Sequence, residues 1–273
     1  MNMRPALAAV LVFAVIAVAL FASFALSSIR VYSYSISGKI TVSASGINTI
    51  NINDPAGAVN VEAYNGSEIT VSYVSESNVF SPVTPSINAS SGALNINVRP
   101  QYISFGYAVY INVLVPYTVK PYIFVKLSAG NIMVQMPCSQ SVYLVTSTGN
   151  IYVNVSELPQ ATLEAVTGNV ELMSAKTYNV YASTVTGDIS ANLKGPLTGN
   201  YVFRDVTGNI NVYIPANSSV SFVLSSANGG YVVSGIPYNA ISQQNGIISG
   251  SAGTGMASLS ETTTTGNVFL GTN

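Results

Sequence analysis

The sequence predicts an all-β protein: a β-solenoid, or β-helix-like stack of short strands with a period of about 19–21 residues, preceded by one N-terminal transmembrane helix. Three observations predict this fold. A Thr-Gly-Asn motif recurs at fixed spacing, apolar residues alternate with polar ones around it, and an uncharged apolar run lies near the N-terminus. We therefore divide the chain into residues 1–30, an anchor or signal, and residues 31–273, an extracellular β-solenoid domain whose repeats are clearest over 92–273.

The N-terminal run, residues 5–28, contains no charged residue. As a helix it would reach roughly 36 Å, enough to cross a hydrocarbon core of about 30 Å. Cleaved signal peptides usually carry a shorter apolar stretch, so we favour a retained anchor; secretion after signal cleavage is the alternative. We accordingly expect a single-pass cell-membrane protein that meets the membrane through residues 5–28, with most of the chain extracellular.

Four Asn-X-Ser sequons support an exported domain and mark possible N-glycosylation sites. Their acceptor residues are Asn65, Asn88, Asn154 and Asn217. Such sequons also arise by chance in a chain rich in Asn and Ser. They are consistent with the extracellular placement but do not establish it.

The repeat is measured from the glycine of its motif. Gly130, Gly149, Gly168 and Gly187 are each 19 residues apart, Gly208 and Gly229 follow at steps of 21, and Gly266 comes 37 later. Looking backwards, Gly92 lies 38 residues before Gly130, and Gly57 lies 35 before Gly92. A fixed period near 20 residues is typical of a solenoid, in which each unit buries its apolar side only by stacking on copies of itself.

Alternation around each glycine assigns the inner and outer faces of the strands. The second and fourth residues after the glycine are nearly always apolar, as in Ile151 and Val153, whereas the residue between them is mixed. Before the glycine, the fifth position back is apolar and the fourth mostly polar, as in Leu163 and Glu164. The former residues are predicted to face the core and the latter to face water.

The motif itself is predicted to be the corner of a coil. Glycine adopts backbone angles that a Cβ forbids, and the Asn or Asp beside it tolerates a left-handed conformation. Stacked corners would align Asn131 with the later Asn and Asp residues in a hydrogen-bonded ladder. The predicted structural turn residues are Gly130, Gly149, Asn150, Gly168, Asn169, Gly187, Asp188, Gly208, Asn209, Gly266 and Asn267.

This phased series resembles the DUF4097 family of adhesin-like domains. That family repeats a T-x-[ST]-G-[DN]-[IV] turn-strand motif, matched here by residues 147–151, 166–170, 185–189 and 264–268. The resemblance covers roughly residues 45–273 and implies a β-solenoid-like fold and an adhesin-like role. The family's turns often carry Asp, whereas this chain has Asn at nearly all of them, which argues against a divalent-ion role at the corners.

Composition excludes several classes of function. Charged residues make up 7% of the chain, His is absent and the net charge is −1, so no basic patch exists for nucleic acid. Without His, neither a Ser-His-Asp nor a Cys-His site can form. The single Cys138 provides no disulfide or thiolate zinc site and is expected to be a buried core residue. We predict no catalytic residue, cofactor or metal, and no enzymatic activity.

The main enzymatic alternative is a polysaccharide-active β-helix enzyme, which would need clustered carboxylates. The best group is Glu164 and Glu171, on either side of the Gly168 corner, with Glu157. Solvated outward charges are the simpler interpretation. Lys126 and Arg204 share the predicted outward column of Glu164, but on non-adjacent coils, where ion pairs add little to stability.

Exposed tyrosines offer a binding function instead. Tyr102, Tyr107, Tyr110, Tyr117 and Tyr122 lie within 21 residues of one another. Tyrosine rings stack on sugars and on partner proteins, although they are also common in part-buried strands. Glycans or other surface proteins are therefore candidate partners.

The free edges of a solenoid suggest a further alternative, a self-assembling surface filament subunit. Residues 29–45 alternate polar and apolar side chains and could be donated to a neighbouring copy, although pairing as the first cap of the same chain is the preferred interpretation. The C-terminal segment, residues 264–273, could close the other end. Together these observations predict a non-enzymatic, membrane-anchored cell-surface protein with an interaction or structural role.

Overall fold

The computed structural model describes residues 34–78, 82–99 and 106–273. Those residues form 22 β-strands and contain no helix, which confirms the all-β prediction. Within these ranges there is accordingly no apolar helix long enough to cross a bilayer. The predicted transmembrane segment, residues 5–28, lies outside the described residues.

The strands are short and follow one another closely. In chain order they are β1 (Tyr34–Ser43), β2 (Thr49–Tyr64), β3 (Glu68–Ser77), β4 (Ser86–Ser90), β5 (Ala93–Asn97), β6 (Tyr107–Pro116), β7 (Tyr122–Ala129), β8 (Ile132–Cys138), β9 (Ser141–Thr148), β10 (Ile151–Glu157), β11 (Gln160–Thr167), β12 (Val170–Ser174), β13 (Asn179–Ser183), β14 (Ile189–Leu193), β15 (Asn200–Arg204), β16 (Ile210–Ile214), β17 (Val220–Asn228), β18 (Tyr231–Ser234), β19 (Asn239–Gln244), β20 (Ile247–Ala252), β21 (Ala257–Thr265) and β22 (Val268–Thr272).

These strands form two sheets with mainly parallel pairing. Sheet A runs in the order β1, β3, β6, the second half of β2, β8, β10, β12, β14, β16, β22 and β18. Sheet B runs in the order β4, β5, the first half of β2, β7, β9, β11, β13, β15, β21, β17, β20 and β19. Each regular coil contributes one strand to sheet B, turns at a glycine, and contributes the next strand to sheet A.

The repeat register places equivalent residues side by side. Ile151 is paired with Ile132 on one side and with Val170 on the other, and all three side chains are buried. In sheet B, Leu163 stacks on Leu144 and is buried, while Glu164 beside it is half-buried. One aliphatic core therefore runs along the stack between the two sheets, as period-two alternation requires.

Gly92 does not lie at a coil corner, contrary to the prediction. It closes the hairpin between β4 and β5, where Ser91 has φ 53° and Gly92 has φ 79°. The strand that follows belongs to sheet B, because Leu94 is paired with Ile50. A two-residue hairpin turn needs the same small residue with a positive φ as a coil corner, so the local sequence does not distinguish them.

The C-terminal segment does not close the end of the stack either. β21 lies between β15 and β17 in sheet B, and β22 lies between β16 and β18 in sheet A. The last coil of the chain is thus inserted between two coils that precede it in sequence. That end of sheet B is completed by the antiparallel strands β20 and β19.

The opposite end departs from solenoid geometry. β6 pairs in parallel with β2 but antiparallel with β3, and β3 pairs antiparallel with β1. β1 therefore forms the edge of sheet A, in agreement with the cap interpretation of residues 29–45 for the part that the structure describes. β2 is long enough to contribute to both sheets, turning at Gly57.

Candidate functional site

The coil corners form two linked ladders, one of glycines and one of the residues that directly follow them. A Cβ on Gly149 would lie 2.0 Å from the carbonyl oxygen of Gly130, and φ at Gly149 is 144°. Neither the space nor the backbone angle admits a side chain, which explains the glycine. The same close approach joins Gly57 to Gly130, Gly149 to Gly168, and so on through Gly187, Gly208, Gly266 and Gly229.

The residue after each corner glycine holds the next coil through its side-chain oxygen. The backbone N–H of Asn150 donates to Oδ1 of Asn131 at 2.8 Å, and the next steps are equivalent. The series continues through Asn169, Asp188, Asn209 and Asn267 to the N–H of Gly230. The donor at each step is a backbone N–H group, and the acceptor is an oxygen that Asn and Asp share. Asn provides it without stacking negative charges.

A column of polar side chains inside the stack was not predicted. It occupies the inward position three residues before most of the corner glycines, and Leu127 and Ala165 interrupt it. There the hydroxyls of Thr146, Thr184, Thr263 and Ser226 donate to the corner carbonyls of Gly130, Gly168, Gly208 and Gly266, at 2.7–3.2 Å. These hydroxyls satisfy carbonyl groups that the sharp turn leaves without a ladder partner.

Two aspartates occupy the same inner column. Oδ1 of Asp54 accepts the N–H of Ala56 at 3.1 Å, and Oδ1 of Asp205 accepts that of Thr207 at 3.2 Å. The second oxygen of each carboxyl is buried without a hydrogen-bond partner. Desolvation raises the pKa of Asp54 to about 7 and that of Asp205 to about 6. Each aspartate lies three residues before a corner glycine, and this spacing is the sequence signal that its side chain faces inward.

Glu261 is buried more deeply. Its side chain is 0% exposed, it lies between Phe203 and Leu224 on the neighbouring strands, and neither carboxyl oxygen has a hydrogen-bond partner. Burial raises its pKa well above the usual value, because desolvation penalises the charged form. Glu261 is not among the residues predicted from the sequence.

The carboxylates of the enzymatic alternative do not converge. Glu164 lies on the outer face of sheet B and Glu171 on that of sheet A, so the stack separates them. Glu157, at the end of β10, contacts Lys120 at 3.2 Å and Lys176 at 3.9 Å in exposed ion pairs. The described residues contain no group of three or more carboxylate, His or Cys side chains that could hold a metal ion.

The tyrosines do not form one cluster. Tyr110 projects from the outer face of sheet A, Tyr117 follows β6, and Tyr122 begins β7 in sheet B; all three are exposed. Tyr107 is half-buried, and burial followed by the charge of Asp54 raises its pKa. Tyr102 lies outside the described residues.

A groove of about 770 Å³ crosses the outer face of sheet A around Tyr110, where strands β1, β3, β6, β2 and β8 lie side by side. Its first row is apolar: Val74 and Tyr110 are paired across the sheet and are 39% and 47% exposed, and Ala58 follows on β2. An exposed apolar row of this kind is a feature of binding surfaces.

The second row of the groove is polar. Ser72, Asn112 and Asn60 are paired across the strands, and Met133 follows them on β8. Nδ2 of Asn60 donates to Oδ1 of Asn112 at 3.1 Å, which fixes the orientation of both amides. Lys39 of β1 adds the one positive charge of the lining. The groove thus presents an aromatic and apolar strip beside a strip of fixed amides.

The remaining predicted positions are distributed over the surface. Asn65, Asn88, Asn154 and Asn217 are all exposed: Asn65 lies between β2 and β3, Asn88 in β4, Asn154 on the outer face of sheet A, and Asn217 in the loop before β17. Their glycosylation stays a prediction. Cys138 is a buried free thiol at the end of β8.

Comparison with solved structures gives several similar proteins. Similar solved structures include a putative cell adhesion protein from Clostridium sporogenes ATCC 15579, 11% identical over 88% of this chain and 100% of that chain with a TM-score of 0.42. Putative adhesins from Bacteroides fragilis NCTC 9343 and Parabacteroides merdae ATCC 43184 are 8% and 11% identical, cover 86% and 88% of this chain and 96% and 97% of theirs, and both have TM-scores of 0.32.

A comparison with curated proteins gives no match. The model of the Toastrack family, DUF4097, matches residues 85–270. This span is more than half of the chain and contains the regular coils from β7 to β16 as well as the inserted last coil up to residue 270. The chain therefore belongs to the DUF4097 (Toastrack) family.

Proposed function

We propose that this chain is a non-enzymatic, adhesin-like protein of the cell surface that binds glycans in the groove on the outer face of sheet A. The observation that carries the proposal is that an exposed apolar row, formed by Val74 and Tyr110, lies beside a row of oriented amides, Asn112 and Asn60. A volume of about 770 Å³ is in the range of small-ligand sites.

Sugar rings have an apolar C–H face and a rim of hydroxyl groups. The ring of Tyr110 and the side chain of Met133 are suited to the C–H face, because both are exposed and neither carries a charge. The amide of Asn112 and the ammonium group of Lys39 are suited to the hydroxyl rim, since an amide both donates and accepts and an ammonium group donates. The low net charge favours a neutral oligosaccharide over a polyanion.

The proposed cellular location is the outer side of a cell membrane. Residues 5–28 would provide a single-pass anchor, with the solenoid outside; a secreted form released by signal cleavage is the alternative. The exposed sequon residues and a surface with few charges support an exterior placement. Sequencing the N-terminus of the mature protein from membrane and soluble fractions would decide between the two forms.

A glycan array probed with the purified chain tests the binding proposal. Tyr110→Ala should weaken any glycan bound by the native protein by about tenfold or more, because it removes the aromatic surface of the groove. Tyr117→Ala is the matched control, since Tyr117 is exposed but lies outside the groove lining. Equal losses in the two variants, or no glycan retained by the native chain, would contradict the proposal.

The non-enzymatic part of the proposal has its own test. Any glycan retained on the array would be incubated with the protein and then sized by mass spectrometry. An unchanged mass is expected, because Glu164 and Glu171 lie on different sheets and neither lines the groove. Shorter products that disappear in the Glu171→Gln variant would show an enzyme instead.

A further inference from the structure

The two sheets end in four edge strands within the described part of the chain. Sheet A ends at β1 and β18, and sheet B ends at β4 and β19. An edge strand presents unpaired backbone N–H and C=O groups and therefore invites pairing with another strand. Proteins usually limit this by making edge strands short, bulged or charged.

Three of these edges carry such a protection. β18 has 4 residues and β4 has 5, so each offers few backbone groups. β19 has 6 residues, and its register shifts between Ala240 and Ser242. A register shift of this kind interrupts the regular alternation of hydrogen-bonding groups along the edge.

The edge strand β1 has almost no such protection. It has 10 residues, pairs with β3 in an unbroken register from Tyr34 to Ser43, contains no proline, and has Lys39 as its one charged residue. Tyr34 and Ile40 share the face of β1 that continues the core side of sheet A and are 49% and 40% exposed. The strand thus presents an unbroken, ten-residue edge with apolar side chains along one face.

We propose that β1 pairs antiparallel with β1 of a second copy of this chain, giving a two-fold symmetric dimer whose A sheets are continuous. The proposal does not depend on what the groove binds. A two-fold contact requires a self-complementary surface, and the sequence of β1 provides one.

The register follows from the side chains. Antiparallel pairing centred on Gly38 would join residues 34–42 of the two copies and place Tyr34 opposite Val42, Ile36 opposite Ile40, and Lys39 opposite Ser37. Centring on Lys39 would place two ammonium groups opposite each other, and centring on Ile40 would pair only residues 37–43. The register centred on Gly38 is therefore favoured.

Gly38 also suits the centre of the contact. The ring of Tyr73 on β3 lies over it, with ring atoms 2.5 Å from where a Cβ would be. An aromatic ring covering a strand glycine restores the packing that the missing side chain would leave open. In the dimer the two Tyr73 rings would flank the two-fold axis and extend the apolar face across it.

The full chain in detergent micelles provides the test, with mass measured by light scattering after correction for detergent. The expected result is a dimer that Ile40→Lys weakens by about tenfold or more, because a charge enters the apolar face at two symmetric places. Val232→Lys is the matched control: it puts the same charge at an exposed valine in the β18 edge and should leave the dimer intact. Circular dichroism would verify that both variants retain the native strand content.

Disulfide trapping distinguishes this contact from association through residues 5–28. A mixture of Ser37→Cys and Lys39→Cys chains should form a cross-linked heterodimer on mild oxidation faster than either variant alone, because the register places position 37 opposite position 39. A monomeric native chain, equal weakening by Ile40→Lys and Val232→Lys, fibres in place of dimers, or cross-linking without preference for the mixture would each overturn the proposal.

Discussion

Replacing Glu261 by leucine should stabilise this protein, and the gain should grow with pH. The side chain is buried between Phe203 and Leu224, and neither carboxyl oxygen has a partner. Burying a polar group without a hydrogen bond costs roughly 1–3 kcal/mol in proteins. Leucine fits the position, because the equivalent residues of earlier coils are Leu163 and Leu144.

The pH dependence follows from the raised pKa of Glu261 in the folded state. Below its ordinary value of 4.5 the carboxyl is protonated in both the folded and the unfolded chain, and its contribution does not change with pH. Above that value only the unfolded chain releases the proton, so the native protein loses about 1.4 kcal/mol of stability per pH unit until the folded pKa is reached. The leucine variant lacks this loss.

Urea unfolding at pH 5, 6.5 and 8 would measure the effect. The variant should exceed the native chain by about 1–3 kcal/mol at pH 5, with the difference increasing at the higher pH values. Glu261→Gln is the control: it removes the titration but keeps a buried polar group, so it should lie within about 1 kcal/mol of the native protein at pH 5 and gain on it above. A native–leucine difference that stays constant from pH 5 to 8 would refute the burial of a neutral carboxyl.

Three further predictions concern the regular coils and can be measured by the same unfolding experiment. Leu163→Ala should cost about 2–5 kcal/mol because the side chain is fully buried, whereas Glu164→Ala should change little; reversed effects would mean that the register is shifted by one residue. Gly168→Ala should cost about 1–3 kcal/mol from its φ of 144° alone and more from the 2.0 Å approach to a carbonyl oxygen, and a neutral result would contradict the corner geometry. Asn169→Ala should cost about 1 kcal/mol by removing the acceptor of the Asp188 N–H, and Asn169→Asp, which keeps that acceptor, should lose less.

The regular coils could be predicted from sequence because their determinants are local. A corner glycine, the Asn after it and the alternating residues on either side lie within about ten positions, and each coil repeats them. Period-two alternation then assigns Ile151 to the core and Tyr152 to the outer face without knowledge of the neighbouring coil. The same rule places Leu163 inside the stack.

The parts that escaped prediction depend on contacts between distant segments. Gly92 carries the composition of a corner, and only its partner strand shows that it belongs to a hairpin. The groove combines residues of β1, β3 and β6, which lie outside the repeat and pair antiparallel. Glu261 is inward-facing by alternation, but a charged residue type in a strand ordinarily indicates an outward position.

The insertion of the last coil between two earlier ones has a consequence for synthesis. A simple solenoid can add each coil as it leaves the ribosome, so a shortened chain is a shorter but finished stack. Here the coil of β17 and β18 has no preceding coil to dock on until β21 and β22 have been made, because those strands separate it from β15 and β16. Assembly of this end therefore awaits the synthesis of residues 257–272, and a chain that stops before them leaves it incomplete.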